Sequence, residues 1–225
     1  MTKEKAIENL DNVITNIEKA RLKLDGHHIV QLVAISKYST TDDIKTLYES
    51  GQRAFGENKV QDLKEKSTIL DDLPIQWHFV GRLQTNKINQ LIDLNPSLMH
   101  SLDSYEMANE LDKRLKAKNT TMKCLLQINS AKEESKAGVE PQQAVEIYKK
   151  IKTDFSNIIL VGVMSIGAHC DDKTIIKQSF ITTKNIFDSL SDEGAVICSM
   201  GMSGDYEIAI EHGSNLIRVG SALFK

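Results

Sequence analysis

Apolar positions recur along this chain in two alternating rhythms. Ala6, Ile7, Leu10, Val13, Ile14, Ile17 and Leu24 fall at three- and four-residue steps, the spacing of a helix with one apolar face, and Gly26 stops it. Leu32-Val33-Ala34-Ile35 follows as a continuous apolar run, the pattern of a strand buried on both faces, and it ends in Ser36-Lys37. Similar short runs predict strands at Arg53–Gly56, Ile75–Val80, Leu98–Leu102, Met122–Ile128, Ile158–Met164, Ala195–Cys198 and Leu216–Val219. Helical spacing fills the intervals. One helix starts near Thr41, where Thr and Asp can cap the free amides, and runs to Gly51; the next covers Lys59–Leu70. A short helix starts at Thr85-Asn86 and breaks before Pro96, and another is capped by Asp103 with Glu106 three residues on. Pro141 fits the first turn of a helix, and the last two run through Ile176, Phe180 and Ile186 and from Asp205 to His212.

Eight short strands with a helical stretch between each pair are the repeat of parallel βα units, and eight such units close most simply into a (β/α)8 TIM barrel. We therefore expect an α/β single domain over residues 1–225, with a helix over 1–25 covering one barrel end and the barrel over 31–225. A doubly wound open sheet is the structural alternative. The length of 225 residues suits one domain of this class. Hydrophobic residues make 40% of the chain and charged residues 26%, an ordinary globular balance. The net charge is -3 with no basic block, which predicts neither nucleic acid nor anionic membrane as a partner. No stretch approaches the ~18 apolar residues of a membrane span. Met1-Thr2-Lys3-Glu4-Lys5 leads into a charged helix without the apolar core of a signal peptide. Cys124, Cys170 and Cys198 are scattered without CxxC spacing, so neither a disulfide framework nor a zinc site is predicted; they read as buried small apolar residues. A reduced, cytoplasmic monomer is the expectation.

The chemistry sits at strand ends. Lys37 closes the first strand on its carboxyl side, where parallel sheets and barrels place ligands. A lysine held there is expected to be partly desolvated, which disfavours its charged form, and a neutral amine attacks an aldehyde to form a Schiff base. An ordinary surface lysine opening a loop is the competing reading. Ser199-Met200-Gly201-Met202-Ser203-Gly204-Asp205 follows the seventh strand and Arg218-Val219-Gly220-Ser221 ends the eighth. Small residues and free amides in these two loops suit a phosphate, a common arrangement after the last two strands of barrels; ordinary turns are the alternative. In a closed barrel the eighth strand neighbours the first, so a phosphorylated aldehyde satisfies both ends at once. A cofactor-free Schiff-base aldolase would need the same pair. His78, within an apolar strand, reads as a hydrogen-bonded core histidine.

Five stretches together resemble the pyridoxal 5′-phosphate homeostasis proteins, relatives of the alanine racemase barrel: Val33-Ala34-Ile35-Ser36-Lys37, Phe55-Gly56-Glu57-Asn58, Trp77-His78-Phe79-Val80-Gly81-Arg82-Leu83-Gln84-Thr85-Asn86-Lys87, Ser199-Met200-Gly201-Met202-Ser203 and Ile217-Arg218-Val219-Gly220-Ser221. The resemblance runs in order from about Leu32 onward. It departs at Tyr38-Ser39-Thr40, where the family often carries a proline. It implies that Lys37 carries pyridoxal 5′-phosphate as an internal aldimine. Ser199, Gly201, Ser203, Gly220 and Ser221 would hold the phosphate, with Met200 in the same loop. Arg218 would lie near the pyridine nitrogen and Met164 against the cofactor. Asn58 contacts the ring or stabilises a turn. Lys87 and Lys136 match family positions, with roles in cofactor transfer or as plain surface lysines. A guanidinium is donor-only, so beside it the ring nitrogen stays unprotonated and the cofactor is a weak electron sink. The implied function is to hold the cofactor, take part in vitamin B6 homeostasis and pass the cofactor to apo-enzymes, without turnover. The alternative is a pyridoxal-phosphate enzyme such as an amino-acid racemase. Two-sided proton chemistry needs a second base opposite the lysine. Alanine racemases supply theirs from a second domain, and only Ala222-Leu223-Phe224-Lys225 follow here.

Overall fold

The computed structural model describes residues 1–131 and 137–225; Lys136 lies outside them. Its eight strands, all parallel, close into a barrel in chain order. They are β1 (Gln31–Ile35), β2 (Ala54–Glu57), β3 (Gln76–Phe79), β4 (Leu98–Leu102), β5 (Met122–Ile128), β6 (Ile158–Ser165), β7 (Ile197–Ser199) and β8 (Leu216–Val219). The helices are α1 (Lys3–Leu24), α2 (Thr41–Glu49), α3 (Val60–Ile69), α4 (Ile88–Leu94), α5 (Tyr105–Ala117), α6 (Ala144–Asp154), α7 (Lys173–Asp188), α8 (Tyr206–Glu211) and α9 (Ser221–Phe224). Closure is made by β1 on β8, with Val33 opposite Arg218 and Ala34 opposite Val219. A doubly wound sheet would leave those edges unpaired, so that alternative falls.

Side chains alternate across the wall as strand geometry requires. Val33, Leu98, Leu125, Met164 and Leu216 pack together inside the barrel, with Ile35, Ala54 and Ile197 beside them. Ala34, Phe55, Ile217 and Val219 face outward and meet Ala6, Leu10, Val13, Ile17 and Ala20 of α1. The first helix therefore does not cover a barrel end. It lies along the outer wall over the β8–β1 seam, where the short α9 leaves apolar surface, and Asn9 Nδ2 donates to the carbonyls of Leu223 (3.1 Å) and Lys225 (2.9 Å). Ile7 and Ile14, expected on its apolar face, sit at that face's edge and are exposed.

Local corrections have local causes. The apolar run Ala195–Cys198 is strand only from Ile197, opposite Gly162 of β6; Val196, exposed, already donates its N–H to Val161 O at 2.9 Å. At α5 the cap is Ser104, whose Oγ accepts from Met107 N–H at 3.1 Å, while Asp103 pairs with Arg82 at 3.2 Å. Pro141 sits in the turn before α6 rather than in its first helical turn, the helix starting at Ala144. At α2 a capping box forms, in which Thr40 Oγ1 accepts from Asp43 N–H and Asp43 Oδ2 accepts from Thr40 N–H, each at 3.2 Å. The first strand is fully buried only at Val33 and Ala34; Leu32 and Ile35 are half-buried. Of the cysteines, Cys124 and Cys198 are buried as expected, but Cys170 is exposed, lying in the loop before α7. Among the described residues no helix is long and apolar enough to cross a membrane.

Candidate functional site

A cavity of about 510 Å³ opens at the carboxyl-end rim where β1, β7 and β8 meet, and Lys37, Ser203, Arg218, Gly220 and Ser221 all line it. Alternation puts Lys37 in phase with the inward-facing Val33 and Ile35. The strand stops at Ile35, however, and a turn closes with Ser39 N–H donating to Ser36 O at 2.9 Å. That turn lifts Lys37 to the rim. Its side chain is exposed, with Nζ 5.0 Å from the centre of the Tyr38 ring, so the expected desolvation is absent from this structure. The residue in front of it is tightly held. Ser36 Oγ donates to Glu57 Oε1 (2.6 Å), and Lys66 Nζ of α3 donates to Glu57 Oε1 and to Ser36 O, both at 2.7 Å. Glu57 is fully buried, so this pair is worth most as a fixed anchor for the end of β1.

Across the cavity the two glycine-serine loops are tied together, Gly220 N–H donating to Ser203 Oγ at 3.1 Å. A side chain on Gly220 would stand 3.2 Å from Ile35 O, so a glycine keeps this wall thin. At the start of α9, Leu223 and Phe224 N–H both donate to Gly220 O, at 2.9 and 3.2 Å. Gly201 adopts φ +90°, and a Cβ there would meet Tyr206 Cα and Ala209 Cβ at 2.7 Å; its role is to let α8 pack against the end of β7.

Arg218 forms the floor of the cavity and is only 5% exposed. Nη1 donates to Ser199 Oγ at 2.5 Å and Nη2 to Ser165 O at 2.9 Å. Burial pushes its pKa down to about 10, which still leaves it charged at neutral pH.

The other candidates stand elsewhere. Ser199 and Met200 are fully buried and outside the cavity lining. The Ser199 hydroxyl is engaged with Arg218, and Met200 N–H donates to Ser214 Oγ at 3.1 Å, so neither reaches the cavity in this structure. Met164 fills the barrel interior. Asn58 and Lys87 line a separate cleft of about 740 Å³ bounded also by Arg82, Thr85 and Asp103. A Cβ on Gly81 would lie 1.9 Å from Asn58 O, which explains the glycine after β3. His78 is a hydrogen-bonded core histidine, its Nδ1 2.8 Å from His100 Nε2. The sequence pattern alone does not single out His100, Ser165, Glu57 or Lys66. The one available signal was a polar residue at an inward position of an apolar strand, as at His100.

Residues 9–225 match the family described as alanine racemase, N-terminal domain. A Helicobacter pylori relative, a pyridoxal phosphate homeostasis protein, is 51% identical over 218 residues, covering 97% of each chain. The structure of PipY from Synechococcus elongatus PCC7942 with PLP bound superposes with a TM-score of 0.84 at 28% identity, over 98% of this chain and 100% of that one. A Clostridium difficile alanine racemase in complex with cycloserine gives a TM-score of 0.75 at 17% identity, with 95% of this chain covering 59% of that one, a likeness of fold alone. The chain belongs to the pyridoxal phosphate homeostasis proteins, within the alanine racemase N-terminal-domain family.

Proposed function

We propose that this protein holds pyridoxal 5′-phosphate in the rim cavity and takes part in vitamin B6 homeostasis without turning over a substrate. The observation that carries this is one cavity lined by an amine, a buried guanidinium and two linked glycine-serine loops. The donor set fits the group. Lys37 bonds covalently to the aldehyde carbon; Ser203, Gly220 and Ser221 hold the phosphate, with Gly201 shaping their loop; Arg218 faces the ring nitrogen. Met164, Ser199 and Met200 support the wall around the ring, and Asn58 shapes the rim after β2. When bound, the cofactor supplies a reversible aldehyde and an electron-poor ring. Arg218 limits the second property, because a donor-only cation leaves the ring nitrogen unprotonated. The exposed Lys37 fits a holder: its amine is open to an arriving or departing aldehyde, whereas a catalytic site gains from excluding water.

A racemase would need a second base across the ring from Lys37. Tyr38, a titratable side chain of the lining, stands beside Lys37 itself, its ring centre 5.0 Å from Nζ. Apo-enzymes that accept the cofactor are the partners this reading implies, in the reduced cytoplasm and with the protein as a monomer. Purified protein incubated with pyridoxal 5′-phosphate is expected to gain visible absorbance. Borohydride reduction and mass spectrometry should put the adduct on Lys37, and Lys37→Ala should abolish both signals. Protein that takes up no cofactor would overturn the reading. Sustained racemisation or transamination by pure protein would overturn its non-catalytic part.

A further inference from the structure

A row of polar groups crosses the barrel interior. His78 of β3, His100 of β4, Ser199 of β7 and Arg218 of β8 lie among Val33, Leu98, Leu125, Met164 and Leu216. His78 Nδ1 is 2.8 Å from His100 Nε2, His100 Nδ1 is 3.4 Å from Ser199 Oγ, and Arg218 Nη1 reaches the same oxygen at 2.5 Å. His100 and Ser199 are fully buried and His78 is 6% exposed. Burying such groups is costly unless every bond is made, and aliphatic side chains would fill the same space without that cost. The row therefore calls for a reason.

Arg218 orients it. A guanidinium only donates, so Ser199 Oγ accepts from Arg218 and keeps its own proton to give. The acceptor within reach is His100 Nδ1. His100 then carries its proton on Nε2 and donates to His78 Nδ1, which leaves the His78 proton on Nε2. Every link has one polarity, running away from the guanidinium. Both rings must be neutral for this, and burial pushes their pKa values down, His78 to about 4 and His100 well below its ordinary value, with the neighbouring His78 and the Arg218 charge adding to the effect there. Asp205 acts on Arg218 in the opposite sense, favouring its charged form. The bond to Ser165 O is the second anchor of the guanidinium, so the Ser199 link decides its angle in the cavity floor.

We propose that His100, braced by His78, is a positioning residue that sets through Ser199 how Arg218 presents its guanidinium to the ring nitrogen of the bound cofactor. This rests on the binding reading above. Without His100, Ser199 Oγ still accepts from Arg218 but its hydroxyl is no longer held by a ring nitrogen, so the guanidinium loses its fixed direction toward the cofactor's ring nitrogen; without Ser199, only the bond to Ser165 O remains. The cofactor's ring nitrogen then takes up a proton more readily and draws electrons from the ring. The protonated link to Lys37 becomes more acidic.

The test loads wild type, His100→Leu and His100→Gln with pyridoxal 5′-phosphate and follows the visible bands through a pH titration. Borohydride trapping on Lys37 checks loading. We expect all three to load. The midpoint between long- and short-wavelength bands should fall by about half a pH unit or more in His100→Leu. It should return toward wild type in His100→Gln, whose amide both donates and accepts. If His100→Leu does not fold, Ser199→Ala cuts the same row by one oxygen and is read in the same way. A loaded, folded variant with an unmoved midpoint overturns this role alone, and so does ¹⁵N NMR of ligand-free protein that finds the His100 proton on Nδ1. Wild type that takes up no cofactor overturns the binding reading, and this role with it.

Discussion

Gly201→Ala tests the packing that positions the β7 loop. The residue adopts φ +90°, where an L side chain is strained by about 1–2 kcal/mol. The added methyl would stand 2.7 Å from both Tyr206 Cα and Ala209 Cβ, and because one of these is backbone, α8 itself must move. Overpacking of that kind costs about 1–3 kcal/mol, so the sum is roughly 2–5 kcal/mol. At roughly 2–4 °C per kcal/mol for a chain of this size, thermal unfolding followed by circular dichroism should occur about 4–20 °C earlier. Displacing α8 also drags Ser203 away from Gly220 N–H, so the variant should retain less trapped cofactor per chain than wild type at equal concentration. Gly204→Ala is the matched control, since a Cβ there meets nothing within 4 Å; its stability should change by no more than about 0.5 kcal/mol. If Gly201→Ala unfolds at the same temperature as Gly204→Ala, the claim that the loop is held by this close approach is wrong.

Three further outcomes follow from buried or exposed single groups. Tyr148 Oη is buried with no hydrogen-bond partner among the described residues, so Tyr148→Phe should stabilise the fold by about 1 kcal/mol; a lower melting temperature would reveal a partner for it. His78 has a depressed folded pKa of about 4, so the unfolded chain binds more protons below its ordinary value near 6.5. Stability should hold above that pH and fall toward pH 4, by at most about 1.4 kcal/mol per unit for each buried histidine, and His78→Gln should flatten urea midpoints across this window. A thiol reagent should label Cys170 alone in folded protein, with Cys124 and Cys198 reacting only after denaturation.

The strands were readable because each is a short apolar run bounded by polar residues or glycine, and Leu98–Leu102, Met122–Ile128 and Leu216–Val219 match their observed bounds. Pattern alone starts β7 two residues early, since apolar Ala195 and Val196 look like strand while the paired register with β6 starts at Ile197. The amphipathic face of α1 announces burial but not its partner, which is the outer wall at the seam. Lys37, Ser203, Arg218, Gly220 and Ser221 were readable as neighbours once strand ends were placed on a closed ring. The direction of the Ser36–Ser39 turn was not, and it leaves Lys37 exposed where partial burial was expected. Nor does anything in the sequence join His100 to Ser199, which are far apart in the chain and meet only across the barrel.

The seam between β1 and β8 carries a consequence for assembly. The amine is among the earliest parts of the barrel to be synthesised, whereas the opposing loops are among the latest. During translation, a ribosome-bound segment bearing only Lys37 would have an isolated, unselective amine. Lys37 and the two glycine-serine loops therefore come to share one cavity only when the final strand pairs with the first, the contact that spans the longest stretch of chain in the barrel and carries its largest loop-closure cost.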